Sequence, residues 1–166
     1  ARQAETEFKL FDRTEKQQPL NDLYTINRLT KPDKINSDIV ISTIQKLFAV
    51  LTGQKIDDID EDEEDEKSFI SDEKNEPEVK LSDNLKLSPD HFQFIIVDEC
   101  HRSIYGKWQS VLKYFKGAKI LGLTATPTLE AYAFFNNNII EEYTYEDSIV
   151  DSVNVPNRVY RIKTEQ

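Results

Sequence analysis

Two short apolar runs constrain the fold of this chain most strongly. The first, F-I-I-V at residues 94–97, leads directly into the letters D-E-C-H, and the second, K-I-L-G-L at 119–123, leads into T-A-T-P. Between them a helix is predicted that ends at Gly117. Its apolar face consists of Trp108, Val111, Leu112 and Phe115. Uninterrupted apolar strands that alternate with amphipathic helices are typical of a parallel sheet covered on both faces. The sequence therefore predicts an α/β fold with a three-layer parallel sheet.

The first third of the chain repeats this pattern. A helix is predicted from the first residue onward, because Ala4, Phe8 and Phe11 fall on one helical face. A short buried strand is predicted at 39–41, followed by a helix with a C-terminal cap at Gly53. The apolar residues of that helix recur at helical spacing and are Ile44, Leu47, Phe48 and Leu51. Near the end of the chain, L-E-A-Y-A-F-F predicts a short helix, N-N-N a turn, and N-R-V-Y-R-I-K-T an extended run.

Residues 54–89 interrupt the strands and helices. Nine of the ten residues at 57–66 are acidic, and Pro77 and Pro89 lie between this run and the next strand. The stretch 57–80 contains 13 acids and three lysines, so it accounts for the whole net charge of −10. The acidic pI of 4.7 therefore reports one segment and does not exclude a phosphate-binding partner. Such a run cannot bury enough surface to order itself, so 54–89 is predicted to be a flexible acidic insertion. A solvated tether, a partner contact and a gate that mimics DNA are the alternatives for its role.

The single cysteine, Cys100, excludes an internal disulfide, and we predict a cytoplasmic protein. No apolar run approaches the roughly 20 residues that cross a bilayer, so no membrane partner is expected. The sequence contains no methionine, so we expect a piece of a longer polypeptide or a processed one. Cys100 is expected to be a buried thiol, because no C-x-x-C or H-x-x-x-H pair accompanies it. His91 lacks a motif and is expected at the surface.

Polar clusters follow three of the predicted strands. They begin at Ser42 with Thr43, at Asp98 with Glu99, and at Thr124. Because ligands of parallel sheets bind beyond the carboxyl ends of the strands, we expect the clusters to meet at one edge. A carboxylate such as Asp98 is a hard oxygen ligand suited to Mg²⁺, and Glu99 can deprotonate a water that attacks a phosphoryl group. The pair by itself is also compatible with a solvated acidic loop.

The order of these motifs resembles that of superfamily 2 helicases and translocases, in which D-E-x-H follows one strand and T-A-T-P follows the next. The resemblance implies a RecA-like P-loop NTPase fold, with ATP and Mg²⁺ as cofactors. It implies that Asp98 holds the Mg²⁺ of ATP, that Glu99 is the catalytic base, and that His101 couples the nucleotide site to the T-A-T strand. The residues implied to link hydrolysis to movement on DNA are Thr124, Ala125 and Thr126.

A narrower resemblance covers nearly the whole chain. V-D-E-C-H-R-S-I-Y-G-K-W and L-G-L-T-A-T-P-T are similar to the motor (R) subunits of type I restriction enzymes, and A-R-Q-A-E-T-E-F and D-I-V-I-S-T-I-Q-K-L to their DNA-contacting motifs. This implies translocation of double-stranded DNA before cleavage, with methyltransferase and specificity subunits as partners. The implied contacts to the DNA backbone are Gln3, Ser42, Thr43 and Gln45. Ser42 and Thr43 could also cap the next helix, and the two roles are compatible.

The phosphate-binding loop of this family, G-x-x-x-x-G-K-[ST], is absent from the sequence. The resemblance therefore implies that 1–166 is part of a first motor domain whose P-loop precedes Ala1. Residues 150–166 would lead toward the second motor domain. We expect this part alone neither to hydrolyse ATP nor to cut DNA. Two alternatives are another superfamily 2 helicase and a non-catalytic interaction domain that has lost the P-loop.

Overall fold

The computed structural model describes residues 1–13, 18–56, 81 and 85–157. The α-helices in these ranges are α1 (Arg2–Leu10), α2 (Ile44–Thr52), α3 (Cys100–Ser103), α4 (Gly106–Tyr114), α5 (Leu129–Phe134) and α6 (Tyr145–Val150). The strands are β1 (Asp12–Arg13), β2 (Gln18–Pro19), β3 (Ile26–Arg28), β4 (Ile39–Ile41), β5 (Phe94–Val97) and β6 (Lys119–Gly122). Two 3₁₀ helices occupy Leu20–Asp22 and Pro32–Asn36.

The described strands form three two-stranded sheets. β1 pairs with β2 in the antiparallel direction, whereas β3 with β4 and β5 with β6 are parallel pairs. In the β5–β6 pair, Phe94 lies opposite Lys119 and Val97 lies opposite Gly122. Two helices, α3 and α4, connect these strands, as a parallel crossover requires. The predicted α/β class is confirmed in this form, as parallel pairs with helical connections.

Helix α2 follows β4 as predicted and contributes to the main core. The hydroxyl of Thr43 caps its first turn, and Gly53 ends it in the left-handed conformation at φ 78°. Glycine takes that conformation without the clash that a Cβ would cause. Buried members of the core surrounding α2 include Leu29, Ala49, Leu51, Val111 and Phe115.

The helical connection between β5 and β6 is divided into two helices, where the sequence predicted one. Ile104 and Tyr105 separate α3 from α4, and α4 ends at Tyr114, before the predicted stop at Gly117. The predicted apolar face is confirmed, because all four of its residues are buried: Trp108, Val111, Leu112 and Phe115. The rings of Trp108 and of Phe48 in α2 pack at nearly a right angle to each other.

The expectation that helices cover both faces of the sheet is wrong for β5 within the described residues. Phe94 is 55% exposed and Ile96 is 51% exposed, whereas Val97 is buried. Side chains of a strand alternate between its two faces, so one face of β5 packs on the helices and the other is open. No helix of the described ranges covers the open face.

The acidic insertion falls largely outside the described residues, because 57–80 and 82–84 are not among them. The two ends of the predicted range 54–89 lie in the core, where Ile56 and Leu87 are buried. The hydroxyl of Tyr114 donates a hydrogen bond to the Leu87 carbonyl. The insertion itself stays a prediction, with both ends anchored on the same core.

His91, which was expected at the surface, is only partly exposed. The ring is half-buried, and its Nε2 lies 3.1 Å from the carbonyl oxygen of Ile35. It also packs edge-on against Phe92. The sequence contained no sign of this partner, because Ile35 lies 56 residues away from His91.

The C-terminal part contains the predicted short helix, α5, and the predicted turn. Asn136 and Asn137 adopt positive φ angles of 55° and 56°, which asparagine tolerates better than most residues. Helix α6, which was not predicted from the sequence, begins with a capping box formed by Thr144 and Asp147. The described residues end at 157, so most of the predicted extended run lies outside them. The exit segment 150–166 also lies outside them from residue 158 onward. In the described ranges, no helix combines the length and apolar character needed to span a membrane.

Candidate active site

The candidate site begins where β5 ends. Val97 is buried, and the next two residues, Asp98 and Glu99, are exposed. The backbone N–H of Glu99 donates a 3.0 Å hydrogen bond to Oδ1 of Asp98. The Asp98 carboxylate is therefore oriented by its own turn. Two carboxylates thus project from the end of a strand whose last residue is fixed in the core.

Glu99 adopts the left-handed conformation, with φ 47° and ψ 46°. The residues on either side of the Asp98–Glu99 pair are both hydrogen-bonded to Leu123, just beyond β6. Leu123 donates its N–H to the Val97 carbonyl, and Cys100 donates its N–H to the Leu123 carbonyl, both at 2.9 Å. With both flanks held, the chain must turn sharply at Asp98 and Glu99. A left-handed conformation is costly for a residue with a side chain, so the turn stores strain beside the carboxylates.

The first turn of α3 brings the D-E-C-H motif onto the T-A-T-P segment. Nδ1 of His101 lies 2.8 Å from Oγ1 of Thr124 and 3.4 Å from Oε2 of Glu99. Oγ1 of Thr124 also accepts a 3.1 Å hydrogen bond from the N–H of Thr126. His101 therefore lies between the carboxylate and the first residue of the T-A-T-P segment. Thr124 is half-buried, whereas Ala125 and Thr126 are exposed.

Cys100 is buried, as the sequence predicted. Its sulfur lies under Gly122, where an added Cβ would be 2.9 Å from Sγ. Burial raises the pKa of the Cys100 thiol above its ordinary value, and the charges of Glu99 and Asp98 raise it further. The thiol is therefore kept neutral and unreactive and contributes packing beneath the site.

The residues expected to contact DNA occupy two places. Oγ1 of Thr43 accepts a 3.4 Å hydrogen bond from the N–H of Lys46, so the capping alternative is confirmed for Thr43. Ser42 donates to the Thr43 carbonyl at 2.8 Å. Ile44 packs against the cluster of Val97, Cys100 and Leu112, which brings the start of α2 close to the end of β5.

Gln3 and Gln45 are not joined to this cluster by any hydrogen bond in the described ranges. Gln3 is exposed on α1, a helix that packs against β3, and Gln45 is half-buried in α2. Glu5 of α1 lies 3.6 Å from Arg28 of β3 through Oε2 and Nε. The structure thus brings together the D-E-C-H motif, the T-A-T-P segment and the start of α2, while Gln3 lies on a separate element.

Comparison with known proteins identifies the family of the chain. The model of the family described as "Type III restriction enzyme, res subunit" matches residues 1–129, a range that contains both motifs of the site. The chain belongs to this res-subunit family. The expected similarity to restriction-enzyme R subunits is therefore confirmed.

A relative of this res-subunit chain is the type I restriction enzyme EcoAI endonuclease subunit of Escherichia coli. The two are 30% identical over 123 residues, which cover 70% of this chain and 12% of that relative. The chain thus spans a small part of the length of the relative. No solved structure matches it.

The described residues of this res-subunit chain include two exposed carboxylates, those of Asp98 and Glu99, at the end of β5. They contain no group of three or more His, Cys, Asp and Glu side chains that could hold a metal by itself. Mg²⁺ commonly binds through one or two carboxylates together with substrate phosphates and water. The exposed carboxylate of Asp98 fits the protein's share of such a ligand set. The phosphate cradle that would complete it has no counterpart in the 166 residues, because the P-loop motif is absent.

Sequence reasoning missed one contact that lies outside the D-E-C-H and T-A-T-P motifs of this res-subunit chain. The hydroxyl of Tyr105 lies 3.4 Å from Oγ1 of Thr128 and 3.4 Å from Oε2 of Glu130. A signal was present in the spacing, because Tyr105 follows His101 by four residues and Thr128 follows Thr124 by four. The first contact is made from α3 and the second from Tyr105, the N-cap residue of α4.

Proposed function

We propose that this chain is part of the first RecA-like motor domain of a restriction-enzyme R subunit, which couples ATP hydrolysis to movement along double-stranded DNA before cleavage. The observation that carries the proposal is the contact between His101 and Thr124. It joins the carboxylate turn at the end of one parallel strand to the segment at the end of its neighbour. An ordinary acidic loop at a sheet edge would not require such a link.

Asp98 and Glu99 are proposed to divide the chemistry between them. Asp98 would hold Mg²⁺, since its carboxylate is exposed and oriented by the Glu99 N–H. Bound Mg²⁺–ATP would supply the phosphoryl group that is transferred to water. Glu99 would orient that water and accept its proton, because an exposed carboxylate at a rigid turn can reach a water beyond the sheet edge.

His101 is proposed to report the state of Glu99 to the T-A-T-P segment. Its Nδ1 is within reach of both Glu99 and Thr124, so a change in the interactions of the carboxylate alters the partner available to the imidazole. Thr124 would pass this change to Ala125 and Thr126, which are exposed and free to contact DNA. The coupling needs no long-range motion, because each step is a direct contact.

Gln3, Ser42, Thr43 and Gln45 are proposed as contacts to the DNA backbone. Hydroxyl and amide groups grip phosphates without reading bases, as a motor that moves along any sequence needs. Ile44, the first residue of α2, packs against the cluster that contains Val97 and Cys100, which supports this role for Ser42 and Thr43. The whole protein is proposed to act with methyltransferase and specificity subunits.

The test is the replacement of Glu99 by Gln in the full-length polypeptide. We expect ATP turnover to fall about 100-fold or more, because proton acceptance is lost. Nucleotide binding, measured by calorimetry, should be retained. Glu141→Gln is the matched control, since Glu141 is exposed and lies in sequence well outside the two motifs. Normal turnover in the Glu99 variant would refute its role as base.

The same experiment separates a motor from the alternative interaction domain. A full-length protein that contains no P-loop and neither binds nor hydrolyses ATP would favour an interaction domain that retained this fold. The 166-residue chain alone is proposed to be inactive toward ATP, because its sequence has no phosphate-binding loop.

A further inference from the structure

The T-A-T-P-T segment, residues 124–128, contacts the helices after D-E-C-H at both of its ends. Thr124 contacts His101, and Thr128 contacts Tyr105. Between these two contacts, Ala125, Thr126 and Pro127 are exposed. The segment therefore has three exposed residues between two attachment points, one on α3 and one at the N-cap of α4.

Tyr105 is well placed to be a fixed point. Its carbonyl accepts hydrogen bonds from the N–H groups of Trp108 and Gln109, both at 3.1 Å, at the start of α4. Its neighbours Ile104 and Trp108 are buried. The position of the Tyr105 backbone is thus set by the core, and its half-buried ring carries the hydroxyl toward α5.

Thr128 and Glu130, the partners of Tyr105, belong to the first turn of α5. Oγ1 of Thr128 caps this helix by accepting a 3.2 Å hydrogen bond from the N–H of Ala131. Ala131 is buried, and Phe134 packs against the cluster that contains Val97 and Cys100. The Tyr105 hydroxyl therefore joins the start of α4 to the helix after the T-A-T-P segment.

The two attachments differ in length. The His101–Thr124 contact is 2.8 Å, whereas both contacts of the Tyr105 hydroxyl are 3.4 Å. A single hydrogen bond is weaker at that longer distance, but the Tyr105 hydroxyl has two partners in the first turn of α5, Thr128 and Glu130. A displacement of Thr124 bends the exposed middle of the segment only if Thr128 stays in place. Without the Tyr105 contact, the displacement would be taken up at the start of α5.

We propose that Tyr105 is a positioning residue for energy coupling, which holds Thr128 and Glu130 so that motion of Thr124 is concentrated in Ala125 and Thr126. This inference rests on the proposed motor function. In this role Tyr105 contacts neither nucleotide nor DNA.

The test compares Tyr105→Phe with unmodified full-length protein. We expect ATP turnover to change by less than about twofold, while the DNA distance moved per ATP falls about threefold or more. In the nucleotide-free protein, amide hydrogen exchange over residues 124–131 should become faster. Tyr132→Phe is the matched control, because it makes the same chemical change in α5, where no hydrogen bond of its hydroxyl is seen in the described ranges.

Two further variants protect the test against a general loss of stability. Thr128→Ser keeps both the helix cap and the hydroxyl that contacts Tyr105, so it should retain the DNA distance moved per ATP. Glu130→Ala removes one acceptor of the Tyr105 hydroxyl and leaves the Thr128 cap intact. It should therefore lower the DNA distance moved per ATP less than Tyr105→Phe does.

The Tyr105→Phe protein could move along DNA with an unchanged distance per ATP and unchanged amide hydrogen exchange. That result would overturn this inference and leave the proposed function standing. A full-length protein with no DNA-dependent ATP turnover would overturn both.

Discussion

Nδ1 of His101 lies 2.8 Å from Oγ1 of Thr124, and this contact joins the ends of two neighbouring parallel strands. The Thr124 hydroxyl also accepts a hydrogen bond from the N–H of Thr126. One oxygen therefore serves both the helix after β5 and the segment after β6. The two motifs form one structural unit before any nucleotide is considered.

Removal of the Thr124 hydroxyl should weaken this unit. We expect Thr124→Val to lower the free energy of unfolding by about 1 kcal/mol, since a half-buried hydrogen-bonded hydroxyl is lost at constant shape. Thr124→Ser keeps the hydroxyl and should stay close to the original stability. Urea denaturation compares the two. A valine variant as stable as the serine variant would show that the contact contributes nothing to folding.

Backbone strain at Glu99 predicts a trade between stability and activity. We expect Glu99→Gly to raise the free energy of unfolding by about 1 kcal/mol, because glycine adopts φ 47° without a clash. ATP turnover of the full-length protein should nevertheless be lost. Glu99→Gln keeps the strain and should leave stability unchanged, which makes it the control. Equal stabilities of the Gly and Gln variants would contradict a strained turn.

Gly122 is required by close packing on β6. A Cβ at this position would lie 2.5 Å from Cζ of Phe135 and 2.9 Å from Sγ of Cys100. We expect Gly122→Ala to destabilise the fold by about 1–3 kcal/mol through overpacking. The double variant with Phe135→Leu should lose less than the sum of the two single changes.

Gly117→Ala provides a matched control for the Gly122 prediction. Its Cβ would meet only side-chain atoms of Asp90, with Oδ1 at 2.6 Å, and an aspartate side chain can rotate away. Thermal unfolding should therefore distinguish the two alanine variants clearly. Similar losses at both positions would argue against the packing explanation.

Thr43 combines a helix cap with a proposed DNA contact, and two substitutions separate these roles. Thr43→Asp should keep the stability of α2, because aspartate is a strong N-cap residue, but it should weaken DNA binding of the full-length protein roughly tenfold through repulsion of phosphates. Thr43→Ala should cost about 1 kcal/mol of stability instead. Unfolding and DNA titration measure the two effects. Undiminished DNA affinity of the aspartate variant would remove Thr43 from the DNA-side residues.

Asp38 predicts a pH dependence of stability. The Thr25 hydroxyl donates to Oδ2 of Asp38 at 2.7 Å and the Thr25 N–H donates at 2.8 Å, and these bonds hold the pKa of Asp38 below its ordinary value of 3.8. The carboxylate therefore stabilises the fold fully above that value, and the contribution is lost as the pH falls through the lowered pKa.

Thr25→Val removes the larger of the two causes. We expect the pKa of Asp38 to rise toward its ordinary value, and the pH dependence of unfolding below pH 3.8 to become weaker. Carboxyl NMR titration measures the first effect and urea unfolding the second. Thr6→Val is the control, because the Thr6 hydroxyl donates to the Arg2 carbonyl and not to Asp38. An unmoved Asp38 titration in the valine variant would contradict the assigned cause.

Much of the fold was predictable because it depends on periodicity along the chain. The strands β4, β5 and β6 and the helices α2 and α4 were expected from apolar spacing, and each is present. Helix α6 was missed because its signal is a capping box rather than an apolar face. Strand β3 was missed because two of its three residues, Asn27 and Arg28, are polar, and only its pairing with β4 makes it a strand.

The candidate site was predictable as a set of motifs and less so as a geometry. The sequence led to the D-E-C-H and T-A-T-P motifs at the ends of adjacent strands, and the family match covers both. It contained no information on the division of the helical region at Tyr105, on the open face of β5 or on the partner of His91. Each of these depends on which distant segment packs nearby, and propensity and periodicity do not encode that.

The sequence by itself determined the strands and helices that carry an apolar pattern, the family and the residues that carry the proposed chemistry, because these depend on local pattern and residue identity. The resemblance implied a link between His101 and the T-A-T strand, but only the tertiary structure decided that Nδ1 of His101 meets Oγ1 of Thr124, 23 residues away, and that Tyr105 meets Thr128 at the same separation. It also decided the left-handed turn at Glu99, since that conformation results from the anchoring of Val97 and Cys100 to Leu123. Contacts of this kind exist only when β5 and β6 are paired in one register, and the register is a property of the folded chain.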